Sequence, residues 1–141
     1  MADTITAHIS DLQGSALAVA IDASGHHLIG DEPIEQGGAN KGPTPFDLLN
    51  SALGACSAMT IRWYAERKGW PLNHVNVEID YRKTMRAGEP APTSHFTKHI
   101  DIVGPLLTPE QRAKLLDVAE RCPVHQVLTG KIEIETVAMN R

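Results

Sequence analysis

Residues 42–71 read GPTPFDLLNSALGACSAMTIRWYAERKGWP, and this stretch predicts one helix, Pro45–Lys68, with both ends marked. Thr44 is a natural N-cap. Pro45 takes the first helical position, where a missing N–H costs nothing. Asp47, three residues after Thr44, closes a capping box with Asp in place of Glu or Gln. At the other end Gly69 suits the left-handed C′ position, Trp70 can fold back as the hydrophobic contact, and Pro71 cannot continue the helix. Arg62, Arg67 and Lys68 lie toward the end where the helix dipole favours cations. The helix would run about 36 Å. Leu49, Ala52, Leu53, Cys56, Met59, Thr60 and Trp63 recur at three and four residues, which makes one apolar face with Cys56 at its middle. The small residues Ser51, Ala52, Gly54, Ala55, Ser57 and Ala58 surround that cysteine. Gly54 costs about 1 kcal/mol against Ala in mid-helix, and its presence predicts close approach by another backbone.

A chain of 141 residues predicts one domain, 1–141, long enough to bury a core. The net charge of −4 excludes the basic face of a typical nucleic-acid binder. No run of 18 apolar residues is present to span a membrane, so no membrane partner is expected. The first nine residues carry Asp3 and lack the basic start of a signal peptide, so the expected location is the cytoplasm.

Upstream of the long helix, Ile5–Ile9, Ala16–Ile21 and His26–Ile29 predict a small antiparallel meander turning at Gly25. His26 and His27 are adjacent, point to opposite faces, and are expected in solvent. Gly30–Pro43 is a loop whose glycines do not form a phosphate-binding pattern, and Pro43 and Pro45 remove two possible anion donors. Downstream, His74–Arg82 alternates Val75, Val77, Ile79 and Tyr81 against polar residues, a half-buried strand. Phe96–Val103, with Phe96, Ile100 and Ile102 on one face, should pair with it across the Pro/Gly-rich 84–94 segment. Thr108-Pro109-Glu110-Gln111 repeats the cap and box, so a second helix runs from Pro109 to about Arg121. Its inward stripe is Leu115, Val118, Ala119 and Cys122. Pro123 then restarts the helical count, with Cys122 as N-cap of a short turn through Leu128. Lys131–Ala138, alternating Ile132 and Ile134 with Glu133 and Glu135, predicts a final strand.

Cys56 and Cys122 are the only cysteines. In a reducing compartment a structural disulfide is not expected, and two inert buried thiols are one reading. Cys122 has a local reason to be reactive, because free N–H groups at a helix start stabilise a thiolate. Cys56, among alanines in mid-helix, has none. Cys122 and His125 also form half of a zinc-like ligand set, which needs further ligands, or a Cys–His pair for acyl transfer lacking a visible orienting group.

The long-helix stretch, followed by TPEQRAKLLDVAERCPVH and TGKIEIET, resembles the OsmC/Ohr family of osmotically inducible and organic-hydroperoxide-resistance proteins, closest to its broad OsmC-like branch. The resemblance covers about His26 to Thr136. It implies an α+β fold, an antiparallel sheet wrapped around a long central helix and a second helix, in an intertwined homodimer. It implies thiol-dependent reduction of organic (alkyl or fatty-acid) hydroperoxides, with Cys56 attacking, Cys122 resolving, and a dithiol reductant as partner. Neither a cofactor nor a metal is implied. The alternatives are a non-catalytic small-molecule or lipid-binding dimer on the same scaffold, and a metal-bound Cys/His site. The chain departs from the family where a glutamate follows the helix-start proline: Phe46 stands there, with Asp47 one place on. The family's N-terminal arginine is missing too, the first arginine being Arg62, which leaves Lys41, His26 or His27 as candidate replacements.

Overall fold

The computed structural model describes residues 4–139. The chain divides into two compact units at Leu49/Asn50.

The first unit is a three-stranded antiparallel meander, β1 (Ala7–Asp11), β2 (Val19–Ala23) and β3 (His26–Gly30), in that order across the sheet. Ser24 and Gly25 have φ of 50° and 79°, and Ala23 pairs with His26. Two consecutive positive φ values define the two-residue hairpin turn whose twist matches the strands. His26 and His27 are both exposed, as the sequence predicts, and His27 pairs with Asp22 across the sheet. The glycine-bearing loop after β3 holds a single 3-10 turn, Ile34–Gln36, and is built around the buried Asp31 carboxylate. Backbone N–H groups of Glu32, Ala39 and Lys41 donate to it at 2.8, 3.1 and 3.1 Å. The loop cradles an anion after all, but the anion is its own side chain. Burial pushes the Asp31 carboxyl up. The three N–H groups and the Lys41 ammonium outweigh that and hold it below the usual carboxylate range.

α1 spans Pro45–Lys68, as the end signals predict, beginning in the first unit and continuing in the second. Its capping box is formed: Asp47 N–H donates to Thr44 Oγ1 at 3.0 Å and Thr44 N–H to the Asp47 carboxylate at 2.9 Å. At the far end Gly69 (φ 69°) closes a Schellman motif, with Trp70 N–H on the Ala65 carbonyl and Gly69 N–H on that of Glu66.

The rest of the second unit is the β4 (His74–Thr84) and β5 (Thr93–Val103) hairpin, α2 (Pro109–Ala119) and α3 (Pro123–Thr129). Thr108 and Gln111 form both bonds of the predicted capping box on α2. The core joins Ile61 and Ala65 of α1 to Ile102 of β5 and to Leu115 and Ala119 of α2, with Leu72 and Leu107 from the connections.

Four expectations need correction. The apolar face proposed for α1 is only in part the buried one: Leu53 is buried, but its buried companions are Ser57, Ile61 and Ala65, whereas Met59 and Trp63 are 70% and 58% exposed. The buried row repeats every four residues and contains a serine and an alanine, so hydrophobicity alone pointed to the richer neighbouring face. What approaches Gly54 is a side chain, not a backbone; a Cβ there would meet Ile79 Cγ1 at 3.1 Å. The strands form two separate sheets rather than one. Finally, Lys131–Ala138 is not a strand: all of 131–139 is exposed, and its backbone makes no hydrogen bond among the described residues. Alternation favours an extended conformation but does not supply the neighbouring ladder that makes a strand.

Candidate active site

α2 stops at Ala119, and Pro123 starts α3 afresh. Between them Cys122 takes the extended conformation of an N-cap (φ −66°, ψ 146°), its Sγ accepting from His125 N–H at 3.4 Å. The preceding N–H, that of Val124, donates to Cys56 Sγ on α1 at 3.5 Å. Successive amides of one turn thus serve two sulfurs from distant parts of the sequence, which brings the two predicted cysteines together. Both are free thiols; Cys56 is half-buried and Cys122 fully buried.

Two further residues complete the cluster. Ser57, buried on α1, donates its hydroxyl to the Leu53 carbonyl at 2.9 Å while Cys122 is a thiol, and lies 3.5 Å from Cys122 Sγ, to which that one proton turns when the sulfur is a thiolate. Lys98 of β5 donates to the Ala119 carbonyl at 2.7 Å and lies 3.9 Å from Cys122 Sγ. Burial pushes the Cys122 thiol up. The Ser57 hydroxyl, His125 N–H, Cys56 and the Lys98 ammonium outweigh it, so the thiol lies below its ordinary value. The helix-start N–H anticipated from sequence is one contributor, joined by a serine and a lysine that were not anticipated. Lys98 had a legible mark: it falls in register with Phe96, Ile100 and Ile102, an amine on the inward face of a strand. Ser57 had its place in the four-residue repeat.

His125 is not seated as a base for either sulfur. Its Nε2 lies 3.6 Å from the Glu120 carboxylate. Among the described residues no three His, Cys, Asp or Glu side chains gather as a metal site. Arg62 is committed elsewhere, donating to the carbonyls of Leu72 and Asn73 at 2.9 and 3.2 Å. Asp47 serves as the α1 cap. Beside the cluster opens a cleft of about 550 Å³, lined by Leu53, Phe96 and Leu128 together with Arg82, Lys98 and His125. The arrangement sets a buried sulfur whose thiolate form is favoured beside a second that is partly open, and a disulfide between such a pair closes and reopens by thiolate attack.

An α+β fold with a two-cysteine cluster between a long helix and the start of a short one defines a class of thiol protein. Residues 38–137 match the family described as OsmC-like protein, and the chain belongs to that family. Similar solved structures include an OsmC-like protein from Mycoplasma pneumoniae, 20% identical, covering 92% of this chain and 90% of that one, TM-score 0.75. An organic hydroperoxide resistance protein OsmC from Legionella pneumophila is 20% identical, covering 91% and 90%, TM-score 0.66. A Vibrio cholerae organic hydroperoxide resistance protein with captopril bound in one of its active sites is 21% identical, covering 94% and 90%, TM-score 0.67. No curated protein matches the sequence. No helix among the described residues is long and apolar enough to cross a membrane.

Proposed function

We propose that the protein reduces organic hydroperoxides with the Cys56/Cys122 pair. The observation that carries this reading is the shared α3 turn, whose Val124 and His125 amides point at the two sulfurs. Family membership supports it, as do relatives named for organic hydroperoxide resistance. Cys56, the more open sulfur, attacks the terminal peroxide oxygen as a thiolate. The O–O bond breaks, an alcohol leaves with one proton, and Cys56 becomes a sulfenic acid. The Cys122 thiolate attacks that sulfur, releasing hydroxide that leaves as water, and a disulfide forms. A dithiol then restores both thiols, taking the disulfide itself. Such a cycle belongs in a reducing compartment, so we assign the protein to the cytoplasm.

The two units act as one OsmC-like domain, 1–141, and two copies intertwine as a homodimer. Support comes from apolar side chains left open on the long helix and the last segment: Met59, Trp63, Ile132 and Ile134. A non-catalytic role in binding apolar small molecules or lipids has one observation in its favour, a groove of about 600 Å³ in the first unit lined by Ile9, Leu17, Val19, Ile21 and Leu48.

One equivalent of cumene hydroperoxide separates the readings. Reduction predicts loss of two thiols and of two mass units in the wild type. Cys56→Ser should abolish turnover, and Cys122→Ser should react once and then over-oxidise. Unchanged mass with both thiols free in the wild type would remove the peroxidase reading.

A further inference from the structure

Resting on that reading, we propose that Lys98 is a positioning residue for the reductive half of the cycle. Its ammonium holds the Cys122 sulfur as leaving group, so the dithiol reductant attacks Cys56 and the mixed disulfide forms on Cys56 alone.

Access and charge both point this way. In thiol–disulfide exchange the attacked sulfur must be reachable, and the sulfur better stabilised as thiolate departs faster. Cys122 is sealed from solvent, whereas Cys56 is half-buried. Of the two sulfurs it is Cys122 that Lys98 faces, at 3.9 Å. The amine is anchored: one of its N–H groups is committed to the Ala119 carbonyl at 2.7 Å, which fixes the end of a flexible side chain next to the sulfur. An ammonium has two donors left for it. Lys98 lies between Phe96 and Ile100 on the inward face of β5, so its amine is directed at the end of α2 and at the sulfur rather than at solvent. The remaining groups around the sulfur come from α1, as Ser57 and Cys56, and from α3, as the His125 N–H. The His125 ring faces Glu120 rather than the sulfur.

A reductant thiolate bonds to Cys56 Sγ. The Cys56–Cys122 bond breaks, and its electron pair stays on Cys122 as a thiolate beside Lys98. The second thiol of the reductant, as thiolate, attacks the reductant sulfur of the mixed disulfide. The reductant leaves as a cyclic disulfide, and Cys56 departs as a thiolate that takes a proton. The dithiol is oxidised by two electrons and the protein disulfide reduced by two.

The disulfide is closed with diamide, so that no hydroperoxide is involved, and opened with 2-mercaptoethanol under acid quench for peptide mapping. The expected adduct is on Cys56; an adduct on Cys122, or failure of diamide to close the disulfide, overturns the proposal. Lys98→Met should slow reduction by dithiothreitol about tenfold, and Lys98→Arg should recover most of that loss. In a Cys56→Ser background, Lys98→Met should raise the Cys122 thiolate midpoint by about one unit or more, read by ultraviolet absorbance. An unmoved midpoint, or equal slowing in the Met and Arg variants, overturns the proposal. Should Lys98→Met not fold, Lys98→Gln, which keeps a donor for the Ala119 carbonyl and removes the charge, is read in the same two assays with the same expected and refuting results. If the wild type leaves hydroperoxide untouched yet its diamide disulfide opens at Cys56 with this lysine dependence, the peroxidase reading falls and the assignment of Lys98 stands.

Discussion

Ser57→Ala tests whether the buried hydroxyl holds the Cys122 thiolate. The substitution deletes one oxygen, 2.9 Å from the Leu53 carbonyl and 3.5 Å from Cys122 Sγ. A hydrogen bond to a charged group contributes about 1.5–3 kcal/mol. Sulfur is a diffuse acceptor, and the one hydroxyl proton must leave the Leu53 carbonyl to reach it, so the low end, about 1.5 kcal/mol, is the upper bound here. At 1.36 kcal/mol per unit, losing it raises the Cys122 midpoint by up to about one pKa unit. The fold should barely notice. Ala is the better helix former by about 0.5 kcal/mol, which offsets part of the lost packing, and the change in unfolding free energy should stay within about 1 kcal/mol. The linkage follows from the direction of the shift. Cys122 is held below its ordinary value in the folded chain. Its contribution to stability is therefore fully present above the ordinary thiol value and is lost as pH falls through the folded one. Between the two, stability rises with pH, and Ser57→Ala should flatten that rise. Thiolate absorbance against pH in a Cys56→Ser background gives the midpoint, and urea unfolding at several pH values gives the slope. An unmoved midpoint would refute the role of Ser57, and a loss of several kcal/mol would show the hydroxyl to be structural instead.

Leu115→Ala, at a fully buried position of the core, should cost about 2–5 kcal/mol in denaturant unfolding. Asp31→Asn should loosen the loop around it, because one amide oxygen replaces two carboxylate oxygens that accept from three N–H groups. Since that carboxyl is held low, the wild-type loop should keep its order above the usual carboxylate range and lose it as pH falls through the lowered value. Hydrogen exchange at Ala39 and Lys41 would register both effects. Trp63→Asp, on the open face of α1, should halve the mass seen by light scattering if two copies meet there; an unchanged mass would move the interface elsewhere.

Elements whose ends are written in local chemistry were legible from sequence. Thr44, Pro45 and Gly69 bound α1, and Thr108 with Gln111 starts α2, because caps are satisfied by residues within a few positions. The strand pair β4–β5 followed from alternation, and Cys122 was placed at a helix start by Pro123. What escaped depended on partners distant in sequence. The buried row of α1 is chosen by β4, β5 and α2, which accept Ser57 and Ala65 in preference to Met59 and Trp63. Lys98 reads as a strand lysine until Ala119 and Cys122 appear beside it. The proximity of Cys56 to Cys122 runs through the Val124 amide, and nothing in the spacing of the two cysteines predicts it.

Residues 131–139 have the alternation of a strand and, among the described residues, none of its backbone bonds. Their amides and carbonyls are left to water or to a ladder supplied from outside the chain. An external ladder obeys mass action. If a second copy supplies it, the melting temperature is a function of protein concentration, and each tenfold increase in that concentration adds up to about 1.4 kcal/mol to the assembled state. In a dilute cell extract such a chain would be less durable than in a concentrated stock, with no change in sequence, buffer or temperature.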